Sequence, residues 1–333
     1  VAMALLGFGV WSMVVQLLVM SSTSALILWA SSDWRPSMQF SRSHFKALFQ
    51  YGIQIAGSRI LSYTNSQLPD FLIGYFMGAT SLGYFSLAHT FTKRLVNTLR
   101  NVILDVAYPA FSQYQHQPDT LRTLFHQASR FTALLVFPFY AIIFLLAQEL
   151  VFVLFGPEWI PAIPLTRILA LMGGIYALVA YFSQILMAIG ETKTLLRIKL
   201  VLLVINAIGL LVSIQYDLNL VAAAYVASWY IIMPLYYYYV HKKINLEGYL
   251  ANLTGATLGV FIMCSVMMLV RFFIIDQASK LVVLLTCTLL GCVSYVITLL
   301  IVAPETMGQA LSATKLIIPR ISNRSIKTED DLE

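Results

Sequence analysis

The sequence predicts an all-α protein that crosses a membrane many times, and three observations support this. Hydrophobic residues make up 59% of the 333 positions and charged residues only 11%, whereas soluble domains have about 25% charged residues. The mean hydropathy is +0.80. Apolar stretches of about 20 residues, the length that spans a bilayer core, recur from the first residue to about residue 303. A polytopic membrane protein is therefore expected.

We predict about nine complete spans, preceded by the end of another in residues 1–9. Short segments rich in Gly, Pro and polar residues separate them. The predicted spans cover residues 10–30, 49–77, 82–110, 131–155, 163–189, 195–216, 219–240, 249–275 and 281–303. Because Val1 already lies inside an apolar run, earlier helices are expected to be missing from this chain.

Lys and Arg residues are distributed unequally between alternate loops. One set of loops, together with the tail after residue 304, carries nearly all of them, whereas the other set holds only Lys280. By the positive-inside rule the first set is cytoplasmic. Lys199, at the start of the span 195–216, counts among these cytoplasmic charges. The net charge of +6 is thus attributed to loop bias and not to a nucleic-acid partner.

The predicted span 82–110 carries far more charge than its neighbours. Its polar stripe comprises His89, Lys93, Arg94, Asn97, Arg100, Asn101 and Asp105. On a helical wheel these residues occupy less than half of the circumference, opposite an apolar face. Three cations facing hydrocarbon would cost about 8–10 kcal/mol. The stripe is therefore expected to face a water-filled cavity or partner charges, and we favour a cavity that accepts an anion.

Two other interpretations of this helix are open. It could lie flat at the membrane interface with its cations against lipid phosphates, but removing a span would break the alternation of loop charges. Its cations could instead extend from a helix end to the interface, which suits one of them and not the whole stripe.

The preceding span, 49–77, also has a polar face, which includes Ser58, Arg59, Asn65 and Asp70. The short connection "GATS" makes the two spans antiparallel neighbours, so their polar faces can form one compartment. Pro69 is expected to break the first helix where its backbone lines that cavity. A purely structural alternative pairs Asp70 or Asp105 with a nearby arginine.

Five stretches resemble one family in sequence order. They are "LLGFGVWSMVVQLL", "LIGYFMGATSLGYFSLA", "VAYPAFSQ", "LFGPEWIPAIPLTRILAL" and "MAIGETKTLLRIKL". Together they resemble the polysaccharide or O-antigen flippase branch of the multidrug/oligosaccharidyl-lipid/polysaccharide exporter superfamily. The resemblance implies a two-lobe exporter bundle of 12–14 helices around a central cavity. It does not favour a role of Asp70 in ion coupling, because the acidic residue of some relatives falls near Pro69 here.

The resemblance also implies a division of the chain. Residues 1–48 would end a truncated N-terminal lobe and include the inter-lobe loop, and residues 49–248 would form the C-terminal six-helix lobe. Residues 249–303 would add two membrane helices, and residues 304–333 would form a cytoplasmic tail. The protein would lie in the bacterial inner membrane with its C-terminus in the cytoplasm.

The function implied is the movement of polyprenyl-pyrophosphate-linked oligosaccharides to the outer leaflet for surface polysaccharide synthesis. The predicted cavity residues are Ser58, Arg59, Asn65, Lys93, Arg94, Asn97, Arg100 and Asn101, with Asp70 and Asp105 as ion-coupling or charge-pairing candidates. No catalytic residue, metal or cofactor is expected. Expected partners are the lipid-linked oligosaccharide, membrane lipids and a glycan polymerase or other assembly protein.

Other functions remain open on the sequence alone. A lipid II exporter would carry the same diphosphate chemistry, whereas a drug-cation exporter should have carboxylates in its cavity. A membrane-embedded glycan polymerase or glycosyltransferase would need an acid–base or metal constellation. The sequence has no DxD motif, no paired histidines and no long loop between spans, so an enzyme is disfavoured.

Overall fold

The computed structural model describes residues 7, 9, 11–32, 40–274 and 279–302, and only the backbone of residues 47, 95, 96, 99–103, 105 and 106. These described residues form helices and short connections, without a β-strand. The helices are α1 (Trp11–Ser31), α2 (Arg42–Phe76), α3 (Gly78–Gln113), α4 (Pro118–Leu145), α5 (Ala147–Phe155), α6 (Ala162–Ala170), α7 (Met172–Ala188), α8 (Thr192–Ser213), α9 (Leu218–Ile244), α10 (Tyr249–Ile274) and α11 (Lys280–Val302).

The predicted all-α membrane class is confirmed. In the described ranges, seven segments are long and apolar enough to cross a membrane: α1, α4, the continuous pair α6–α7, α8, α9, α10 and α11. Two more helices, α2 and α3, have 35 and 36 residues and are long enough to span but carry more polar residues. The chain is therefore a multi-pass membrane protein, and the polar helices are the two that the sequence singled out.

One predicted span is divided differently in the structure. Residues 131–155 were expected to form a single span, but α4 begins at Pro118 and a break at Leu146 separates it from α5. The polar segment at the start of α4 is helical because its apolar positions are used for packing. Leu121 and Phe125 are both fully buried. The polar segment expected to be a loop is therefore the first part of α4.

The helix break expected at Pro69 is absent, because α2 runs without interruption through this residue. A proline inside a helix cannot donate to the carbonyl four residues earlier, which here belongs to Asn65. The side chain of Asn206 on α8 lies 3.4 Å from that carbonyl oxygen and donates to it. A neighbouring helix thus replaces the missing backbone donor, as membrane helices with internal prolines require.

The chain divides into two compact units, Val1–Gln50 and Tyr51–Glu333. The first contains α1 and the start of α2. The second contains the hydrophobic core, in which α4 packs against α3, α7 and α10, and α9 packs against α7 and α8. The finer division predicted at residues 48, 248 and 303 stays a prediction, and the tail 304–333 lies outside the described residues.

Helix α3 is held in place by a close approach of α4 to α7. The hydroxyl of Tyr140 on α4 donates a hydrogen bond to the carbonyl of Thr92 on α3. The Tyr140 ring is 5% exposed and lies directly on the backbone of Gly173, where a Cβ atom would sit 2.1 Å from a ring carbon. Only glycine leaves room for this ring. The Tyr140 hydroxyl can therefore reach α3 and bond its backbone at Thr92, the residue before Lys93.

We expect Gly173→Ala to destabilise the protein by about 1–3 kcal/mol, because the added methyl group overpacks a buried ring. Gly209→Ala is a matched control, since its Cβ would meet Ala224 at an ordinary 3.6 Å. The control should be neutral or gain up to about 1 kcal/mol from reduced backbone freedom. Thermal unfolding in detergent measures both, and equal behaviour of the two variants would contradict the close approach.

A buried ion pair fastens α10 to α5. Two nitrogens of Arg271, Nη2 and Nε, lie 2.9 and 3.1 Å from Oε1 of Glu149, whose side chain is 4% exposed. Arg271 also donates to the carbonyl of Leu145 at 3.3 Å and to Gln148 at 3.5 Å. Charge-assisted bonds of this kind are strong and directional, so Arg271 serves as a structural contact that joins α10 to α4 and α5.

Arg271→Met should destabilise the protein by about 3–5 kcal/mol, because it leaves the Glu149 carboxylate buried without a partner. Adding Glu149→Gln should restore much of that loss. As a control, Arg122→Met removes a pair with Asp119, whose side chain is 93% exposed, and should cost no more than about 1 kcal/mol. Unfolding curves in detergent test this, and a loss for Arg271→Met as small as the control's would refute the buried pair.

Candidate functional site

A cavity of about 540 Å³ lies within the second unit, between α2, α3, α7, α8 and α9. Its volume falls in the range of about 300–1,000 Å³ that is usual for ligand pockets. The polar lining comes from α2 (Arg59, Ser62, Asn65 and Ser66), α3 (Lys93 and Tyr108), α7 (Tyr176, Ser183 and Gln184), α8 (Lys199) and α9 (Tyr225, Trp229 and Tyr236).

The structure brings some of the predicted residues together and separates others. Arg59, Asn65 and Lys93 line the cavity. Ser58 is buried next to it, and its hydroxyl has no hydrogen-bond partner in the described part of the chain. Arg94 is exposed and does not belong to the lining. Consecutive residues of a helix point about 100° apart, which separates Arg94 from its neighbour Lys93.

The other predicted residues of α3 give a mixed result. Asn97 is half-buried and does not line the cavity. The side chains of Arg100, Asn101 and Asp105 lie outside the described residues. Their assignment to the cavity therefore stays a prediction.

Asp70 is half-buried on α2, close enough to Lys93 on α3 for their charges to interact. One of its oxygens, Oδ1, has no hydrogen-bond partner among the described residues, and within that part of the chain Asp70 makes no salt bridge. The pairing of Asp70 with an arginine, the structural alternative, stays a prediction, because the side chain of Arg100 lies outside the described residues.

Polar contacts run along the parallel helices α2 and α8. They join Gln54 to Thr192, the carbonyl of Ser58 to Lys199, and Asn65 to Asn206. The amide of Asn206 donates to Oδ1 of Asn65 at 2.9 Å, and Nζ of Lys199 donates to the Ser58 carbonyl at 3.4 Å. Residues seven apart lie on nearly the same side of a helix, so the contacts form one seam and fix the position of Lys199.

Lys199 is the cavity cation that the sequence analysis assigned to a cytoplasmic loop. It lies inside α8, is half-buried, and is close enough to Arg59 for their charges to interact. Arg59, Lys93 and Lys199 thus bring three cations to one cavity. No Asp or Glu occurs in the described lining, so the cavity is suited to an anion.

A second part of the cavity lining is aromatic and comes from α7 and α9. The rings of Tyr176 and Trp229 meet edge to face at 4.9 Å. Tyr225 is fully buried and contacts His89 on α3 edge to face at 5.3 Å. Sequence reasoning missed this wall because its aromatic residues lie in spans without charge, where they are indistinguishable from ordinary core residues.

The connection between α7 and α8 contains Glu191, which lies outside the spanning segments and forms an ion pair. Lys243, in the last turn of α9, bonds the carboxylate of Glu191, which also accepts from Thr194. The hydrogen bond from Lys243 lowers the pKa of the Glu191 carboxyl below its usual value. This pair ties the start of α8, and with it the helix that carries Lys199, to the end of α9.

The chain is similar to known proteins of polysaccharide biosynthesis and transport. A family described as "Polysaccharide biosynthesis protein" matches residues 1–164. The chain is similar to the succinoglycan biosynthesis transport protein ExoT of Rhizobium meliloti, with 29% identity over 59% of this chain. It is also similar to the teichuronic acid biosynthesis protein TuaB of Bacillus subtilis, with 25% identity over 54%, and to the lipopolysaccharide biosynthesis protein WzxC of Escherichia coli, with 24% over 46%.

The matched regions make up 40%, 37% and 32% of these three proteins, so the chain spans less than half of the length of each. Among solved structures, the inward closed conformation of the lipid II flippase MurJ matches with a TM-score of 0.64 and 17% identity. The match covers 81% of this chain and 57% of that one, which shows a shared fold. The resemblance predicted from the sequence is confirmed.

We expect the cavity to be accessible to water, and cysteine labelling can test this. After replacement of Cys264, Cys287 and Cys292 by alanine, a Ser62→Cys variant should react with a charged, membrane-impermeant thiol reagent, because Ser62 lines the cavity. Ser265→Cys, exposed on the membrane-spanning α10, should stay unlabelled in lipid because charged reagents do not enter hydrocarbon. Equal labelling at both positions would contradict a water-filled cavity.

Proposed function

We propose that this chain, a relative of the polysaccharide-exporting flippases, moves polyprenyl-pyrophosphate-linked oligosaccharides from the cytoplasmic to the outer leaflet of the bacterial inner membrane. The glycan would serve surface polysaccharide synthesis, as O-antigen, capsule or exopolysaccharide. The observation that carries the proposal is a cavity inside a membrane protein that is lined by Arg59, Lys93 and Lys199 and, in its described lining, by no carboxylate.

The charge of the cavity matches the chemical obstacle in this transport. A diphosphate and a hydrated glycan cannot cross hydrocarbon unaided, whereas a polyprenyl chain can remain in the lipid. Lysine and arginine side chains bind phosphate oxygens by charge-assisted hydrogen bonds. Three cations around one cavity are costly in a membrane, and an anionic substrate would offset that cost when it binds.

Transport would follow the alternating-access scheme, in which a central site opens first to one side of the membrane and then to the other. Asp70 lies close enough to Lys93 for their charges to interact, and in this proposal it is a charge-pairing candidate that competes with the substrate for this lysine. The predicted contributions of Arg94, Asn97, Arg100, Asn101 and Asp105 remain part of this proposal. The asymmetry of loop charges supports the proposal that the C-terminus lies in the cytoplasm.

A cationic lining argues against a drug-cation exporter, which needs carboxylates to bind its cargo. Lipid II remains the second candidate, because the solved structure with the same fold is a lipid II flippase and the diphosphate is common to both substrates. We propose no enzymatic step, cofactor or metal. Membrane lipids and a glycan polymerase or other assembly protein are the proposed partners.

We expect Lys93→Ala and Lys199→Ala each to slow translocation of a defined polyprenyl-diphosphate oligosaccharide in proteoliposomes by about tenfold or more, because each removes a hydrogen bond to a charged group worth about 1.5–3 kcal/mol. Lys193→Ala is the matched control, since Lys193 is exposed at the start of the same helix. It should leave the rate unchanged.

The same variants can be tested in cells at equal protein levels by measuring surface glycan. If a Lys93→Ala/Lys199→Ala double variant still displayed wild-type amounts, the cationic cavity would not be the substrate site. Rescue of lipid II export, and not of glycan export, in a strain lacking its own flippase would favour the second candidate.

A further inference from the structure

The cavity has two chemically different walls. The cations Arg59, Lys93 and Lys199 come from α2, α3 and α8. The second wall, formed by the lining residues of α7 and α9, contains no charged residue in its described part. A pure anion such as a diphosphate would use only the first wall. The second wall therefore needs a separate explanation.

Tyr176 and Trp229 form an aromatic corner in this second wall, with Tyr225 one helical turn before Trp229 on the same helix. Gln184 lies eight residues after Tyr176 on α7 and also lines the cavity. Residues seven or eight apart lie on the same side of a helix. Rings and an amide thus share one surface, which is the usual construction of a site that binds a small ligand with both apolar and polar faces.

The aromatic corner contains two buried polar groups without a hydrogen bond to the other described residues. The hydroxyl of Tyr225 and the indole N–H of Trp229 lie close to each other, and neither makes a hydrogen bond of normal geometry with the described residues. Buried donors without acceptors are rare and destabilising. A ligand with hydroxyl or amide oxygens would supply the acceptors, and a polyprenyl chain would not.

We propose that Tyr176, Tyr225 and Trp229 form a sugar subsite that binds the first sugar ring attached to the diphosphate, while the cations on the other wall bind the diphosphate itself. A pyranose ring has an apolar face of C–H groups that can pack on an aromatic ring, and a rim of hydroxyl groups that can accept from buried donors. The inference rests on the proposed function and extends it, because it names the part of the cargo that the uncharged wall recognises.

Both donor atoms are shielded from solvent in this structure. The ring of Tyr176 is only half-buried and is the neighbour of Trp229, so we expect it to move when the sugar enters. Binding of the sugar would therefore change the packing between α7 and α9. An amphipathic sugar fits this wall better than a second anion, which would find no cation there.

The test compares two ligands on the intact protein in nanodiscs by isothermal titration calorimetry. One is a short-chain polyprenyl diphosphate, and the other is the same molecule carrying a single N-acetylhexosamine. The wild type should bind the sugar-bearing ligand about three- to tenfold more tightly, the gain expected from one or two additional hydrogen bonds. Trp229→Phe and Tyr225→Phe should each reduce this preference and leave the affinity for the sugar-free ligand unchanged.

Two controls separate the sugar subsite from the rest of the site. Trp159→Phe makes the same chemical change at a ring that packs edge-on against Tyr84 and is absent from the cavity lining, and it should retain the preference. Lys199→Ala should weaken both ligands by a similar factor and retain the preference as well.

The outcomes distinguish failure of this inference from failure of the proposed function. If the wild type showed no preference, or Trp229→Phe and Tyr225→Phe kept it or weakened both ligands equally, the sugar subsite would be wrong while diphosphate binding stood. If the wild type bound neither ligand, or Lys199→Ala bound both as tightly as the wild type, the cationic site would fail. If the wild type bound neither ligand, the sugar subsite would fail together with the cationic site.

Discussion

The cost of placing charge inside a membrane is the constraint on which this structure depends. Arg59, Lys93 and Lys199 lie on three helices that cross the region otherwise filled by apolar side chains. An uncompensated cation costs at least about 2.5–3.5 kcal/mol there, so the helices must enclose polar space around all three. The cavity between five helices is that space, and the polar surfaces of α2 and α3 are explained by it.

Hydrogen bonds between α2 and α8 position Lys199 in the cavity. Hydrogen bonds between membrane helices contribute only about 0.6 kcal/mol each on average, so a single one would not fix a helix register. The seam between α2 and α8 uses several at seven-residue intervals, including Asn65 with Asn206 and Ser58 with Lys199. Pro69 has no N–H to donate to the carbonyl of Asn65, and Asn206 in the same seam donates to that carbonyl instead. This contact lets α2 continue through its proline.

The sequence predicted the membrane class, most helix positions and the polar helix pair, because apolar length and charge are properties of composition. It placed Arg59 and Lys93 at the cavity but missed Lys199, since a lysine near a helix start resembles a loop charge. A signal was present: Thr192, Lys199, Asn206 and Ser213 follow each other at intervals of seven in an apolar span. The aromatic wall could not be found, because only the packing of α7 against α9 separates its rings from core residues.

The contrast between two kinds of buried cation supports a functional cavity. Arg271 bonds the Glu149 carboxylate, Gln148 and a backbone carbonyl, so most of its donors are used within the protein and its role is to hold helices together. Lys199 has one long bond to a carbonyl, at 3.4 Å, and another cation nearby. Within the described part of the chain, the donors of Lys199 are therefore largely unused, which supports the proposal that an anion from outside the chain binds there.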